Sequence, residues 1–343
     1  MGKPSRLLLI FILLFSYANF IFPMTIKKQE NEPVKGIFLT IWTMTSKKKL
    51  KKLINLVEQT ELNTLIIDVK SNGGNLIFDW VKDLDLFIKE MHQKKIYLIG
   101  RISVFKDSKL VSKKPFLALK NKNGGYWKDS VNGKWVDPAA RESWAYNVDI
   151  AKKAIKIGFD EINFDYIRFP SEGDLDKIIY PIWDGNTDMS LIIRGFYKYL
   201  KHNLQSFNKP LSIDLFAYGI LSHDDLGIGQ RFIDCFDYFD YICPMLYPSH
   251  YSSGNFGFDN PAEHPYDVIY QTLIRAKIIL LANKSGAEIR PWLQSFNLGA
   301  KYTERMIILE KKAVYDALGI DAGWLLWNPG NIYKKAALNS LTK

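Results

Sequence analysis

Short apolar runs separated by longer segments of helical period recur eight times between Gly36 and Trp327, and this alternation restricts the fold more than any other feature of the chain. The runs lie at residues 36–42, 64–70, 96–103, 161–168, 211–216, 241–246, 289–294 and 323–327, each short and rich in β-branched or aromatic side chains. Between them, apolar residues recur at spacings of three and four: Leu50, Leu53, Ile54 and Val57; Trp144, Val148, Ala151 and Ile155; Ile193, Phe196, Tyr197 and Leu200; Ile269, Leu273, Ala276 and Leu280. Strand and helix in alternation predict a parallel α/β sheet, and eight repeats predict its closure into a single-domain (β/α)8 TIM barrel over residues 34–343. Asp137-Pro138 reads as the N-cap and first position of the helix that follows.

Loop lengths orient this barrel. Links entering strands are short, as at 158–160, 208–210 and 319–321, whereas links leaving strands run long at 104–136, 170–189, 217–229 and 247–261. All four long links gather at the C-terminal rim, where barrels of this kind place their chemistry. They carry many aromatics with an exposed look, among them Tyr126, Trp127, Trp135, Tyr180, Trp183, Tyr247 and Tyr251.

Three strands end in an aspartate that the alternation turns inward: Asp68 in LIIDVKSNGG, Asp165 in FDEINFDYIRFPS and Asp214 in LSIDLFAYG. Two carboxylates across a barrel mouth suit glycoside hydrolysis, one protonating the leaving oxygen and the other stabilising or attacking the oxocarbenium-like centre or activating water. Strands four and five are neighbours, so Asp165 and Asp214 form the expected catalytic pair, with Asp68 as a third candidate. The competing structural role is ion pairing with Arg101, Lys70 or Arg168. Arg101 and Arg168 are also candidate substrate clamps. Tyr247, Gln294, Trp327 and Trp42, at or after the ends of strands six, seven, eight and one, are candidates to stack on or hydrogen-bond a sugar.

Other chemistries find little support. The chain has 5 His and 2 Cys with no paired metal-ligand spacing, and no phosphate loop, GxSxG elbow or dinucleotide fingerprint, so neither metal nor cofactor is expected. A net charge of +10 comes from dispersed lysines; the one dense run, Lys47 to Lys52, falls on a predicted helix and reads as a solvated face, not a nucleic-acid surface. His223-Asp224-Asp225 reads as a solvated loop, and Cys235 and Cys243 as small buried hydrophobes.

The N-terminus has the form of an export signal. Lys3 and Arg6 precede an apolar run at 7–15 and then Ser16-Tyr17-Ala18, which predicts a signal peptide over 1–18, a linker over 19–33, and an exported protein of the periplasm, cell envelope or exterior. Apolar character continues to Phe22, so an uncleaved membrane anchor is the competing reading.

The stretch FDEINFDYIRFPSEGD, with GIFLTIW, LIIDVKSNGG, WVDPAARESWAYNVDIAKKAIKIGFD and the closing WLLWNPGN, resembles a bacterial family of barrel-type glycoside hydrolase domains over residues 34–331. The resemblance implies a (β/α)8 barrel with a glycosidase site and a glycan substrate. Amylase-like barrels carry Asp, Glu and Asp at the ends of strands four, five and seven, and Arg two positions before the first. The matching residues here are Asp165, Asp214, Gln294 and Asn163, of which only the first agrees, so a starch-type activity is not expected. Two rivals to the hydrolase reading remain. One is a non-catalytic carbohydrate-binding barrel, and the other an anchored envelope scaffold with an exposed apolar patch in place of a cleft.

Overall fold

The computed structural model describes residues 32–340; the expected signal or anchor segment and nearly all of the linker lie outside the described residues. Eight parallel strands close on themselves: β1 (Lys35–Leu39), β2 (Thr64–Lys70), β3 (Tyr97–Ser103), β4 (Glu161–Asp165), β5 (Leu211–Phe216), β6 (Tyr241–Leu246), β7 (Glu288–Ile289 and Trp292–Gln294) and β8 (Trp324–Trp327). β8 pairs with both β7 and β1, and β7 pairs back to β6, which completes the circle. Both faces of these strands are buried. Outward residues such as Ile37, Ile67, Ile162 and Ile213 pack beneath the helices, while Phe38, Ile66, Ile99, Cys243, Trp292 and Leu325 fill the barrel interior.

The helical layer comprises α1 (Ile41–Thr45), α2 (Lys47–Glu58), α3 (Leu84–Gln93), α4 (Arg141–Ile157), α5 (Met189–Leu204), α6 (Pro265–Ala282) and α7 (Glu304–Leu318). The predicted strand–helix alternation lapses between β5 and β6, where a four-residue helix, Tyr218–Leu221, and a 3-10 turn, Phe232–Cys235, replace a full helix. The intervening residues are mostly polar and bend through left-handed Leu226, Gly227 and Gly229, which no helix can accommodate. A short 3-10 turn, Lys335–Ala337, likewise follows β8.

Two strand ends differ from their sequence reading. β1 stops at Leu39, because Asn331 donates to the Phe38 carbonyl at 2.9 Å and accepts from the Thr40 N–H at 2.9 Å, while the Thr40 hydroxyl caps α1 by accepting from the Thr43 N–H at 3.2 Å. Trp42 therefore stands on α1 and not at a strand end. β4 stops at Asp165, because Tyr166 turns left-handed at φ 54°. Asp137 does not cap α4, whose N-cap is Ala140; its carboxylate instead accepts from the backbone N–H groups of Ala139, Ile182 and Trp183 at 2.8–2.9 Å, tying two rim loops together.

The rim aromatics are mostly the cores of their own loops. Trp127 and Trp135 are buried, with indole N–H groups donating to the Asp174 carbonyl at 2.8 Å and to Asp129 at 2.9 Å. Cys235 and Cys243 are buried free thiols, and the Lys47–Lys52 run is solvated. No helix among the described residues is long and apolar enough to cross a membrane.

Candidate active site

Inward positions along β4 form a polar column, Glu161, Asn163 and Asp165, while Ile162 and Phe164 face the helices. The column ends beside Arg101 of β3, which sits across the strand register from Asn163. The Arg101 guanidinium meets three aspartates. Nη1 donates to Asp68 at 2.5 Å, Nη2 donates to Asp165, and Nε lies 3.9 Å from Asp214. It also lies about 5.5 Å from the Phe38 and Trp327 ring centres. Burial works against its charge, yet the Asp165, Asp68 and Asp214 carboxylates outweigh burial and hold its pKa above the ordinary arginine value.

The carboxylates are not equivalent. Asp165 accepts from the Tyr166 N–H at 2.6 Å through Oδ1 and from Arg101 through Oδ2, so the left-handed turn after β4 supplies a donor to its own preceding side chain. Asp214, only 2 % exposed, accepts at Oδ1 from Asn163 at 2.8 Å and from the Trp292 indole N–H at 2.7 Å. Its pKa is pushed up to about 8, first by burial and then by the Asp165 charge, against the opposing effects of Arg101, Asn163 and Trp292. Both effects favour the protonated form of Asp214. Two donors occupy Oδ1, which leaves Oδ2 to carry the proton. Burial, and then the Asp165 charge, raise Asp68 to about 6 despite Arg101, but Asp68 lies behind the guanidinium and does not reach the cavity wall.

Above this cluster opens a cavity of about 490 Å³ whose floor includes Arg101, Asp165 and Asp214 and whose walls include Trp327, Tyr247 and Arg168. That volume suits a sugar-sized ligand. The Tyr247 phenol is buried, and burial together with the Asp214 and Asp165 charges pushes its pKa well above the ordinary value, so it stays a hydrogen-bonding O–H. Trp327 stacks on Phe38 at 4.2 Å between centroids and offers its remaining surface to the cavity.

The other candidates sit elsewhere. Gln294 is fully buried, accepting from the Ser249 N–H at 3.2 Å and donating to the Phe296 carbonyl at 2.9 Å, so it braces the β6 and β7 loops. Trp42 is 54 % exposed and packs edge-on against Trp80, outside the cavity wall. Lys70 is taken by Asp107 at 2.9 Å. Sequence reading missed Trp292 and Asn163 as partners of Asp214, although both stand at inward positions of their strands. Among the described residues, no group of three or more His, Cys, Asp or Glu is placed to hold a metal ion.

A family model described as "Putative glycosyl hydrolase domain" matches residues 36–333. The chain belongs to this family. A search of curated proteins finds no match. Among solved structures, the glycoside hydrolase domain of PgaB (BpsB) from Bordetella bronchiseptica superposes with a TM-score of 0.60 at 10% identity, over 91% of this chain and 99% of that one. The spore cortex-lytic enzyme SleL of Bacillus cereus gives 0.53 at 14% identity, over 90% and 74% of the two chains. The α-galactosidase TtGalA of Thermus thermophilus, solved with p-nitrophenyl α-D-galactopyranoside, gives 0.53 at 12% identity, over 90% and 60%. These likenesses establish the barrel fold, and family membership marks the chain as a glycoside-hydrolase-type domain.

Proposed function

We propose that the chain hydrolyses a glycosidic bond in a polysaccharide or cell-envelope glycan, with Asp214 as general acid and Asp165 as the partner carboxylate. The observation that carries this reading is the difference between two aspartates on one cavity floor. Asp165 is ion-paired with Arg101, whereas Asp214 is held protonated near neutral pH by burial and by the Asp165 charge. A protonated Oδ2 can pass its proton to the leaving glycosidic oxygen as the C–O bond breaks, Asp165 faces the positive charge developing on the sugar ring, and a water then forms the new C–O bond to that carbon and returns a proton to Asp214. Asn163 and Trp292 fix the Asp214 carboxyl from one side, which aims the proton-bearing oxygen away from them. The glycosidase neighbours, one solved with a galactoside, support a carbohydrate ligand.

The test is turnover by Asp214→Asn and Asp165→Asn on a panel of envelope and plant glycans. General acid–base help is worth about 10²–10⁴-fold, and each variant should lose that much. A parent protein inactive across the panel but still binding the glycans would leave the non-catalytic binding barrel standing instead.

Export is the second part of the proposal, resting on Lys3, Arg6, the apolar run at 7–15 and Ser16-Tyr17-Ala18. Sequencing the mature N-terminus should find Asn19 or a near neighbour, and recovery of the full-length chain from membranes would favour the anchor.

A further inference from the structure

Among the described residues, three arginines are buried in and around the barrel, and they differ in how their charge is balanced. Arg290 pairs through both terminal nitrogens with fully buried Glu161. Arg101 faces three buried aspartates. Arg168, 3 % exposed and in the cavity wall, pairs among the described residues with Glu172 alone, whose side chain is 47 % exposed and whose Oε1 accepts from Nη2 at 3.4 Å. Its other hydrogen bonds go from Nη1 to the Phe169 carbonyl at 3.2 Å and the Ser171 hydroxyl at 2.9 Å. A guanidinium has five N–H donors, so three are engaged and two remain. The group lies over the Phe216, Trp135 and Tyr166 rings at 4.5, 5.0 and 5.3 Å, which hold its plane but supply no counter-charge. Consistent with this, burial outweighs Glu172 and the more distant acids and moves the Arg168 pKa below the ordinary value, opposite to Arg101 and Arg290.

We infer that Arg168 is the receptor for a carboxylate on the sugar, so that the cavity takes a uronic-acid-type residue whose carboxylate displaces Glu172. A planar fork fixed against rings, short of counter-charge and facing a sugar-sized cavity, matches the geometry of a carboxylate better than that of a hydroxyl. Glu172 stands in the position of this anion: its half-exposed side chain accepts only long hydrogen bonds, from Arg168 at 3.4 Å and from the Ser171 hydroxyl at 3.3 Å, and can turn out to solvent. The inference deepens the reading of this cavity as a glycan site. It is tested by binding and not by turnover, so the two can fail separately.

The probes are D-glucuronate and D-galacturonate against D-glucose, D-galactose and glucose 6-phosphate, titrated into the full chain by calorimetry or ligand-observed NMR at pH 7. Both uronates should bind at least about tenfold more tightly than the neutral sugars. Arg168→Gln should erase that preference, and Arg168→Lys should recover part of it. Glu172→Gln, a change at a solvated position, should tighten uronate binding a fewfold by removing the internal competitor. Equal binding of acidic and neutral sugars, absence of uronate binding, or preference for the phosphate over the uronates would overturn the inference. So would a uronate affinity unchanged in Glu172→Gln, even if Arg168→Gln fails to fold. A parent that binds uronates but hydrolyses no uronate-containing glycan would sink the hydrolase reading and leave this one intact.

Discussion

The two ends of the barrel interior hold similar groups to different effect. Near the N-terminal ends of the strands, Glu161 and Arg290 form one ion pair, supported by the Ser212 hydroxyl donating to Glu161 and by the Tyr241 ring 4.1 Å from the guanidinium. One acid meets one base. At the other end, one guanidinium serves three aspartates beneath a cavity, and burial with the Asp165 charge pushes Asp214 toward its protonated form. Balanced charge can be sealed in a barrel as structure, whereas surplus acid under a cavity is, on the proposed reading, a proton store.

The largest test breaks the balanced end. Arg290→Met leaves Glu161 buried without its partner and should cost about 3–5 kcal/mol in denaturant unfolding, whereas replacing both residues with apolar ones of similar volume should cost much less. Asp165→Asn at the upper end should behave differently, because Arg101 retains Asp68 and a nearby Asp214 that can ionise; its stability loss should be the smaller of the two.

Next comes pH. A carboxyl group whose pKa is raised on folding binds its proton more tightly in the folded chain, so its contribution is fully present below the unfolded value and is lost as pH rises through the folded value. For Asp68 the window runs from about 4 to about 6, and for Asp214 from about 4 to about 8. Each group should lower stability by about 1.4 kcal/mol per pH unit inside its window. Asp214→Asn should remove the part of the slope between pH 6 and 8, measured as unfolding free energy across that range, and should leave the protein at pH 8 as stable as the parent or more so.

A finer test concerns Asn163, whose hydrogen bond favours the ionised form of Asp214. Asn163→Ala should move the alkaline limb of the pH–rate profile upward, by about half a unit to one unit. The smallest expected effect is at Trp42, outside the cavity wall. Trp42→Ala should change turnover of a small aryl glycoside by less than about twofold and stability by about 0.5 kcal/mol or less.

Much of this architecture was legible because barrel strands carry their instructions locally. Alternation turns Asp68, Asp165 and Asp214 inward, and the long links after β3 to β6 mark the rim at which the cavity opens. Pairings set by barrel closure were not legible. That Arg101 gathers Asp68 and Asp165, or that Trp292 reaches Asp214 from β7, depends on inter-strand register and tilt, which no local pattern states. Glu161 was passed over as a strand residue, although its partner lies 129 positions away on β7. Strand ends were misread where tertiary contacts decide them, as Asn331 ends β1 and the Tyr166 turn ends β4. The rim aromatics looked exposed because loop cores such as Trp127 and Trp135 have no periodicity to betray burial.

The most direct test of the account is the protonation state of Asp214. Infrared difference spectra of the parent minus Asp214→Asn, taken from pH 6 to pH 10, isolate the carbonyl band of this one carboxylic acid. A protonated-carboxyl band is expected at neutral pH, disappearing with a midpoint near pH 8. A difference spectrum that shows only carboxylate throughout this range would contradict it, since an Asp214 already ionised at neutral pH has no proton to give.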